Sequence, residues 1–274
     1  MTRSRAIASL APIALTELDA VAALRTRKDR KYLVPAAEVE GLVAGAGSRS
    51  RVLEIDGLRT FRYESVYFDT PDFDCYRAAA RRRPRRSKVR TRSYLDSAVA
   101  FLEVKARQGR GLTVKHRLAY GLSDRHRITP EGLAFLEAVS SVGPLADRLR
   151  PALKTRYRRT TLLAEDEASR VTIDECLECV APAGALVRLD SVVLIETKTA
   201  SRPCEFDRML WASGHRPVKV SKYGTGLAAL DPSLPANKWH RVLRDYFTGR
   251  PQTVLAVAPS LPSPDHPLCV AAAQ

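Results

Sequence analysis

Charged and apolar positions alternate with period two in one short segment after another of this chain. The clearest are Lys88-Val-Arg90-Thr-Arg92, Glu103-Val-Lys105, Lys115-His-Arg117, Tyr157-Arg-Arg159, Arg170-Val-Thr-Ile-Asp174, Glu196-Thr-Lys198 and, nearer the N-terminus, Arg27-Lys-Asp29-Arg-Lys31. Strand side chains project alternately to two faces. Each segment therefore predicts a strand with one charged face and one apolar face, the latter built from Val89, Leu102, Val104, Val114, Val171, Ile173, Val193 and Ile195. If the apolar faces pack under helices, the charged faces look into a water-filled barrel or cleft.

The remaining pattern supplies the helices and punctuation. Leu15, Leu18, Val21 and Leu24 have helical spacing, Pro35 opens a helix over 36–44, and Gly45 and Gly47 end it. An aromatic strand is predicted over 61–69, a helical turn from Pro71 to Ala80, and strands near 86–95, 99–107 and 112–120, the last two joined by a glycine-bearing hairpin at 108–111. A helix over 130–139, strands near 153–163, 170–177 and 187–198, and helices over 205–212 and 221–230 follow. This is an α+β pattern, read as an eight-stranded antiparallel β-barrel with helices packed outside. Three parts are expected: residues 1–24 as an N-terminal leader and short helix, 25–248 as the barrel domain, and 249–274 as a disordered Pro/Ala-rich tail. No G-x-x-x-x-G-K-[ST] or G-x-G-x-x-G occurs, which excludes a P-loop and a doubly wound nucleotide fold.

Composition sharpens the chemistry. The net charge of +15 calls for an anionic partner: nucleic acid, a phosphate-rich metabolite or an anionic membrane surface. The five cysteines are odd in number and irregularly spaced, against a disulfide framework, and Cys176-Leu-Glu-Cys179 lacks the second pair a zinc site needs. The apolar run after Arg3 and Arg5 is short, broken by Pro12 and followed by Glu17 and Asp19, so it reads as a leader into a helix. No stretch approaches the ~20 apolar residues of a membrane span. A cytoplasmic protein is expected, with a peripheral membrane position allowed and no transmembrane segment of its own.

Several stretches taken in order carry a further message: Asp29-Arg-Lys-Tyr-Leu-Val34, Tyr67-Phe-Asp-Thr-Pro71, Lys88-Val-Arg-Thr-Arg92, Phe101-Leu-Glu-Val-Lys105, Thr113-Val-Lys-His-Arg117, Tyr157-Arg-Arg159, Thr172-Ile-Asp174, Glu196-Thr-Lys198 and Ser221-Lys-Tyr223. Their order, across residues 25 to 230, resembles the VTC catalytic domain, the polyphosphate polymerase branch of the CYTH or triphosphate-tunnel metalloenzymes. The resemblance implies an eight-stranded tunnel in which ATP binds beside Mn²⁺ or Mg²⁺ and its γ-phosphoryl passes to a growing polyphosphate chain. It implies that Lys31, Arg90, Arg92, Lys105, Lys115, Arg159, Arg170, Lys198, Lys219 and Lys222 contact phosphates. It places Glu196 at the metal, joined by Glu103 or Asp174, whose alternative role is to neutralise the cationic walls. The superfamily's first strand carries E-x-E-x-K, whereas this chain has Arg27-x-Asp29-x-Lys31. That departure argues against a two-metal hydrolytic site. The resemblance also leaves room for a membrane-protein partner.

The residue types suit that chemistry on their own. Arginine grips phosphate through a planar fork, lysine acts as a compact point charge, and phosphoryl transfer asks mainly for in-line positioning and charge neutralisation. The competing readings are a triphosphate hydrolase or cyclase on the same fold, a non-catalytic polyphosphate sensor, and a nucleic-acid-binding module using Arg81-Arg-Arg-Pro-Arg-Arg86. The chain lacks a helix-turn-helix, a zinc finger or an RNP-type aromatic pattern, which counts against the last. Arg62, Arg77, Arg127, Arg148, Arg150, Arg156 and Arg158 lie outside the motifs and read as solvated surface.

Overall fold

The computed structural model describes residues 5–22, 28–47, 49–108, 112–247 and 251–253. The strands are β1 (Ala11–Ile13), β2 (Lys28–Pro35), β3 (Arg51–Leu53), β4 (Thr60–Asp69), β5 (Arg86–Tyr94), β6 (Val99–Arg107), β7 (Thr113–Tyr120), β8 (Arg150–Leu163), β9 (Arg170–Val180), β10 (Ala185–Leu189), β11 (Val192–Thr199) and β12 (Gln252–Thr253). The helices are α1 (Arg5–Ser9), α2 (Leu15–Val21), α3 (Val39–Ala44), α4 (Asp74–Ala80), α5 (Pro130–Glu137), α6 (Glu205–Ala212), α7 (Lys222–Leu230) and α8 (His240–Tyr246). Arg27 and the hairpin tip 109–111 lie outside the described residues. So does the expected tail, apart from the segment at β12, which pairs with β10.

Eight strands form one antiparallel wall in the order β2-β11-β9-β8-β4-β5-β6-β7. The outward parity is apolar and helix-covered. Val66, Phe68, Val89, Leu102 and Val104 pack with Leu136 of α5, while Tyr32, Val34, Ile173 and Ile195 pack with α3 and α6. Each fully buried aliphatic side chain contributes about 1.5–3 kcal/mol by leaving water. A one-residue slip of β5 would exchange Val89 for Arg90 beneath α5, so burial fixes which face looks inward.

The structure corrects the expected barrel in two ways. First, the wall does not close: among the described residues β2 and β7 are not paired with each other. The outer edge of β2 is covered instead by the segment before α7, where Val218 N–H donates to the Lys31 carbonyl at 2.7 Å. Second, α7 lies on the charged, concave side rather than outside. Its residues Tyr223 to Ala228 are buried. Two glycines allow this fit: a Cβ on Gly226 would stand 2.5 Å from Cys179 Sγ, and one on Gly224 2.3 Å from the Trp239 ring.

Arg156 also departs from expectation. It is buried on the outer face, where its Nε donates to Glu64 at 2.8 Å beside Arg125 (2.9 Å) and His126 (2.6 Å). Burial raises the Glu64 pKa, but His126 and Arg156 outweigh it and bring the carboxyl down to about 2. A carboxyl depressed on folding stabilises above its unfolded pKa, and that contribution fades as pH falls through the folded value. Glu64→Gln therefore destabilises the protein at neutral pH, by on the order of 3 kcal/mol at most. In urea unfolding, the gap between variant and parent narrows between about pH 4.5 and pH 2.

Candidate functional site

Strand parity and α7 together bring the cations onto one concave surface. On the β5–β7 wall, Glu103 sits at the centre. Its Oε2 accepts from Arg90 Nε and Nη2 at 2.9 and 2.8 Å, with Arg92 Nε 3.7 Å away, and its Oε1 faces Lys115 at 2.6 Å and Arg117 at 3.3 Å. Burial raises the Glu103 pKa, yet Arg92, Arg90 and Lys115 outweigh it and hold the carboxyl far below the usual range. Arg117 in turn lies over the Phe101 ring at 4.2 Å.

The facing wall repeats the arrangement. Asp174, fully buried, accepts from Arg159 Nε and Nη2 at 2.6 and 2.7 Å and from Lys222 at the start of α7. Burial pushes the Asp174 pKa up, but Arg159 and Lys222 win and set it at about 2. Glu196 on β11 pairs through Oε1 with Lys31, directly opposite on β2. Burial raises its pKa, and Lys31 and Lys198 together hold it well below the ordinary value. For Lys198, burial only partly offset by Glu196, with repulsion from Arg159 and Lys31, lowers the pKa to about 7.

Between the walls lies an aromatic floor. Tyr63 stacks on Tyr157 with ring centres 5.3 Å apart, and Tyr67 on Tyr223 at 5.0 Å. Lys222 Nζ is 4.3 Å from the Tyr157 ring centre, and Lys88 Nζ 5.8 Å from that of Tyr67. Such contacts hold cations without neutralising them. In the row between the two stacks, Ser65 faces Arg92 on β5 and Thr155 on β8. Ser65 Oγ, Arg92 Nε and Thr155 Oγ1 are buried and have no hydrogen-bond partner among the described residues. Buried polar atoms are normally paired, so this row holds bonding capacity that the protein itself leaves unused.

The sequence-derived residues fall into three groups. Lys31, Arg90, Arg92, Lys115, Arg159, Lys198 and Lys222 line the cavity with the three carboxylates, and exposed Lys105 stands opposite Lys88 on the same face. Arg170 lies opposite Lys198 but is held by the Leu18 carbonyl at 3.1 Å and Asp19 at 3.0 Å, against α2. Lys219 is exposed and lines two outer cavities. Two cavity residues were missing from the sequence-derived set. Lys88 donates to Ser221 Oγ at 3.0 Å, and burial with repulsion from Arg90, Lys105 and Lys31 holds its pKa well below the ordinary value. Arg117 shares Glu103. Both lie on the parity that had already marked Arg90 and Lys115.

The three carboxylates differ as cation ligands. Both oxygens of Glu103 and of Asp174 are engaged by Arg and Lys, whereas Lys31 takes one oxygen of Glu196. Among the described residues no group of three His, Cys, Asp or Glu side chains could hold a metal. The donor set fits a divalent ion carried by Glu196 and by ligand phosphate oxygens, the usual manner for Mg²⁺. It does not fit a protein cage.

A model of the VTC domain family matches residues 26–231. No curated protein matches the chain. Similar solved structures include a candidate adenylyl cyclase from Hippeastrum described as having a dominant triphosphatase activity, at 18% identity over 72% of this chain and 93% of that one, with a TM-score of 0.47. Another is a Pyrococcus horikoshii protein, at 12% identity over 73% and 94% with a TM-score of 0.43. A third is a candidate adenylate cyclase from Vibrio parahaemolyticus, at 12% over 76% and 87% with a TM-score of 0.38. No helix among the described residues is long and apolar enough to cross a membrane.

Proposed function

The chain belongs to the VTC domain family, and from that membership we propose that it is a polyphosphate polymerase, transferring the γ-phosphoryl of ATP to a polyphosphate chain held in the concave cavity. The observation that carries the reading is the pair of facing cationic walls, with Arg90, Arg92, Lys115 and Lys88 on one side and Lys31, Arg159, Lys198 and Lys222 on the other. A triphosphate or polyphosphate supplies the negative charge that Glu103, Asp174 and Glu196 supply only in part. Mn²⁺ or Mg²⁺ held by Glu196 would neutralise charge on the transferring group.

The direct test incubates purified protein with ATP and Mn²⁺ or Mg²⁺ and resolves the products by gel. Long-chain polyphosphate with ADP supports polymerisation. Orthophosphate without polymer, or a cyclic nucleotide, overturns it in favour of hydrolysis or cyclisation.

Lys198 makes binding pH-dependent. With a free-state pKa of about 7, it is largely neutral in alkaline solution and must take up a proton to face an anion. Tripolyphosphate affinity, measured by calorimetry without metal, then rises as pH falls from about 9 towards 7, by at most about tenfold per pH unit for one proton. Lys198→Gln removes its own proton's share of this slope, leaving any share that belongs to Lys88, whose pKa is also held down. An undiminished slope in the variant would assign it to another group.

A further inference from the structure

Beyond the cavity, the β5–β6 ladder continues as a run of like charges. Arg90 faces Glu103 and is neutralised, but two residues on, along the same face, Lys88 faces Lys105, and two further on Arg86 faces Arg107. Like charges directly opposite on a ladder are destabilising. Arg86 and Arg107 open onto a cavity of about 430 Å³, lined also by Arg82, Pro84, Gln108, Lys219 and Lys238, with no carboxylate among these lining residues. That volume lies within the range of ligand sites, roughly 300–1,000 Å³. Lys219 and Lys238 also line a neighbouring cavity of about 780 Å³, which reaches Lys31 and Ser221 of the functional site. A cationic path thus leads from the site to the groove.

Arg82 lines the same groove from a fixed backbone position. It follows α4 in the left-handed region, with φ +56°. Arg82 N–H bonds the Ala79 carbonyl at 3.3 Å and Arg83 N–H the Ala78 carbonyl at 2.9 Å. This is the helix ending at which glycine is preferred, because a Cβ there costs about 1–2 kcal/mol.

Resting on the polymerase reading, we propose that the Arg82–Arg86–Arg107 groove is a second anion subsite, which holds the part of a linear phosphate chain that extends beyond the cavity. Phosphate polymer fits better than nucleic acid because none of the groove's described lining residues is an aromatic ring on which bases would stack.

The test titrates the full chain with tripolyphosphate, long-chain sodium polyphosphate and single-stranded DNA, using the parent, Arg82→Gly and the double variant Arg86→Gln/Arg107→Gln. Arg82→Gly melts no lower than the parent, since glycine suits that backbone, yet binds long-chain polyphosphate several-fold more weakly. The double variant loses about tenfold or more. Tripolyphosphate affinity stays at the parent value in both. Equal loss for the short and long chains, or loss for neither, overturns the subsite. So does single-stranded DNA that matches polyphosphate in affinity and in sensitivity to the variants. A parent that fails to bind tripolyphosphate at all would instead sink the reading of the main cavity, and the subsite with it.

Discussion

Glu103→Gln lowers the melting temperature of the ligand-free protein sharply, and tripolyphosphate restores much of the loss. In the parent, Glu103 is 2% exposed and is the shared partner of Arg90, Arg92, Lys115 and Arg117. Removing its charge leaves four cations facing one another, and breaking a buried ion pair costs about 3–5 kcal/mol. A polyanion supplies the missing charge at the same place. The variant should therefore bind tripolyphosphate more tightly than the parent, because no carboxylate competes for the same guanidinium groups. Thermal melting at several ligand concentrations reads both effects, since binding to the folded state alone stabilises it by mass action. The assignment fails if the ligand-induced shift in the variant is no larger than in the parent.

Glu196→Gln has a different profile: the fold is kept and turnover collapses. The amide keeps an acceptor for Lys31, which at 27% exposed can also hydrate, but the favourable charge that Lys31 and Lys198 hold on Glu196 is gone, so stability falls while the fold is kept. The variant loses the anionic oxygen that fits a divalent ion. A metal acting on a transferring phosphoryl group is worth several kcal/mol, so turnover should fall by about 100- to 1,000-fold. Metal-free tripolyphosphate binding should hold or improve. Near-normal polymerisation at limiting Mn²⁺ would remove Glu196 from the metal role.

Much of this was legible in the sequence, for a definite reason. Period-two alternation fixes which side chains share a face, so Arg90, Glu103, Arg159 and Glu196 could be placed on one surface before any coordinate was known. What alternation does not carry is the partner across the sheet. Arg156 has the outward parity and read as solvated surface, because Glu64 lies 92 residues away in sequence. The inward position of α7 was equally hidden. Lys222 to Leu230 reads as an ordinary helix, and the close packing of Gly224 on Trp239 and Gly226 on Cys179 is a long-range fact. Closure of the sheet was overread for a related reason: strand number is written locally, whereas the last pairing depends on what else reaches the edge of β2.

The way that edge is covered changes what sets the width of the cavity. In a fully hydrogen-bonded cylinder, girth follows from strand number and stagger. Here the β2 margin is clasped by one chain segment through Val218, and among the described residues no ladder joins β2 to β7. No rung of the eight-strand wall fixes the distance between those margins, so it is left to the chain segments and side chains that span them. Any limit on ligand girth would therefore be set at the seam, whereas the cations of the walls would set the sign of the charge they face.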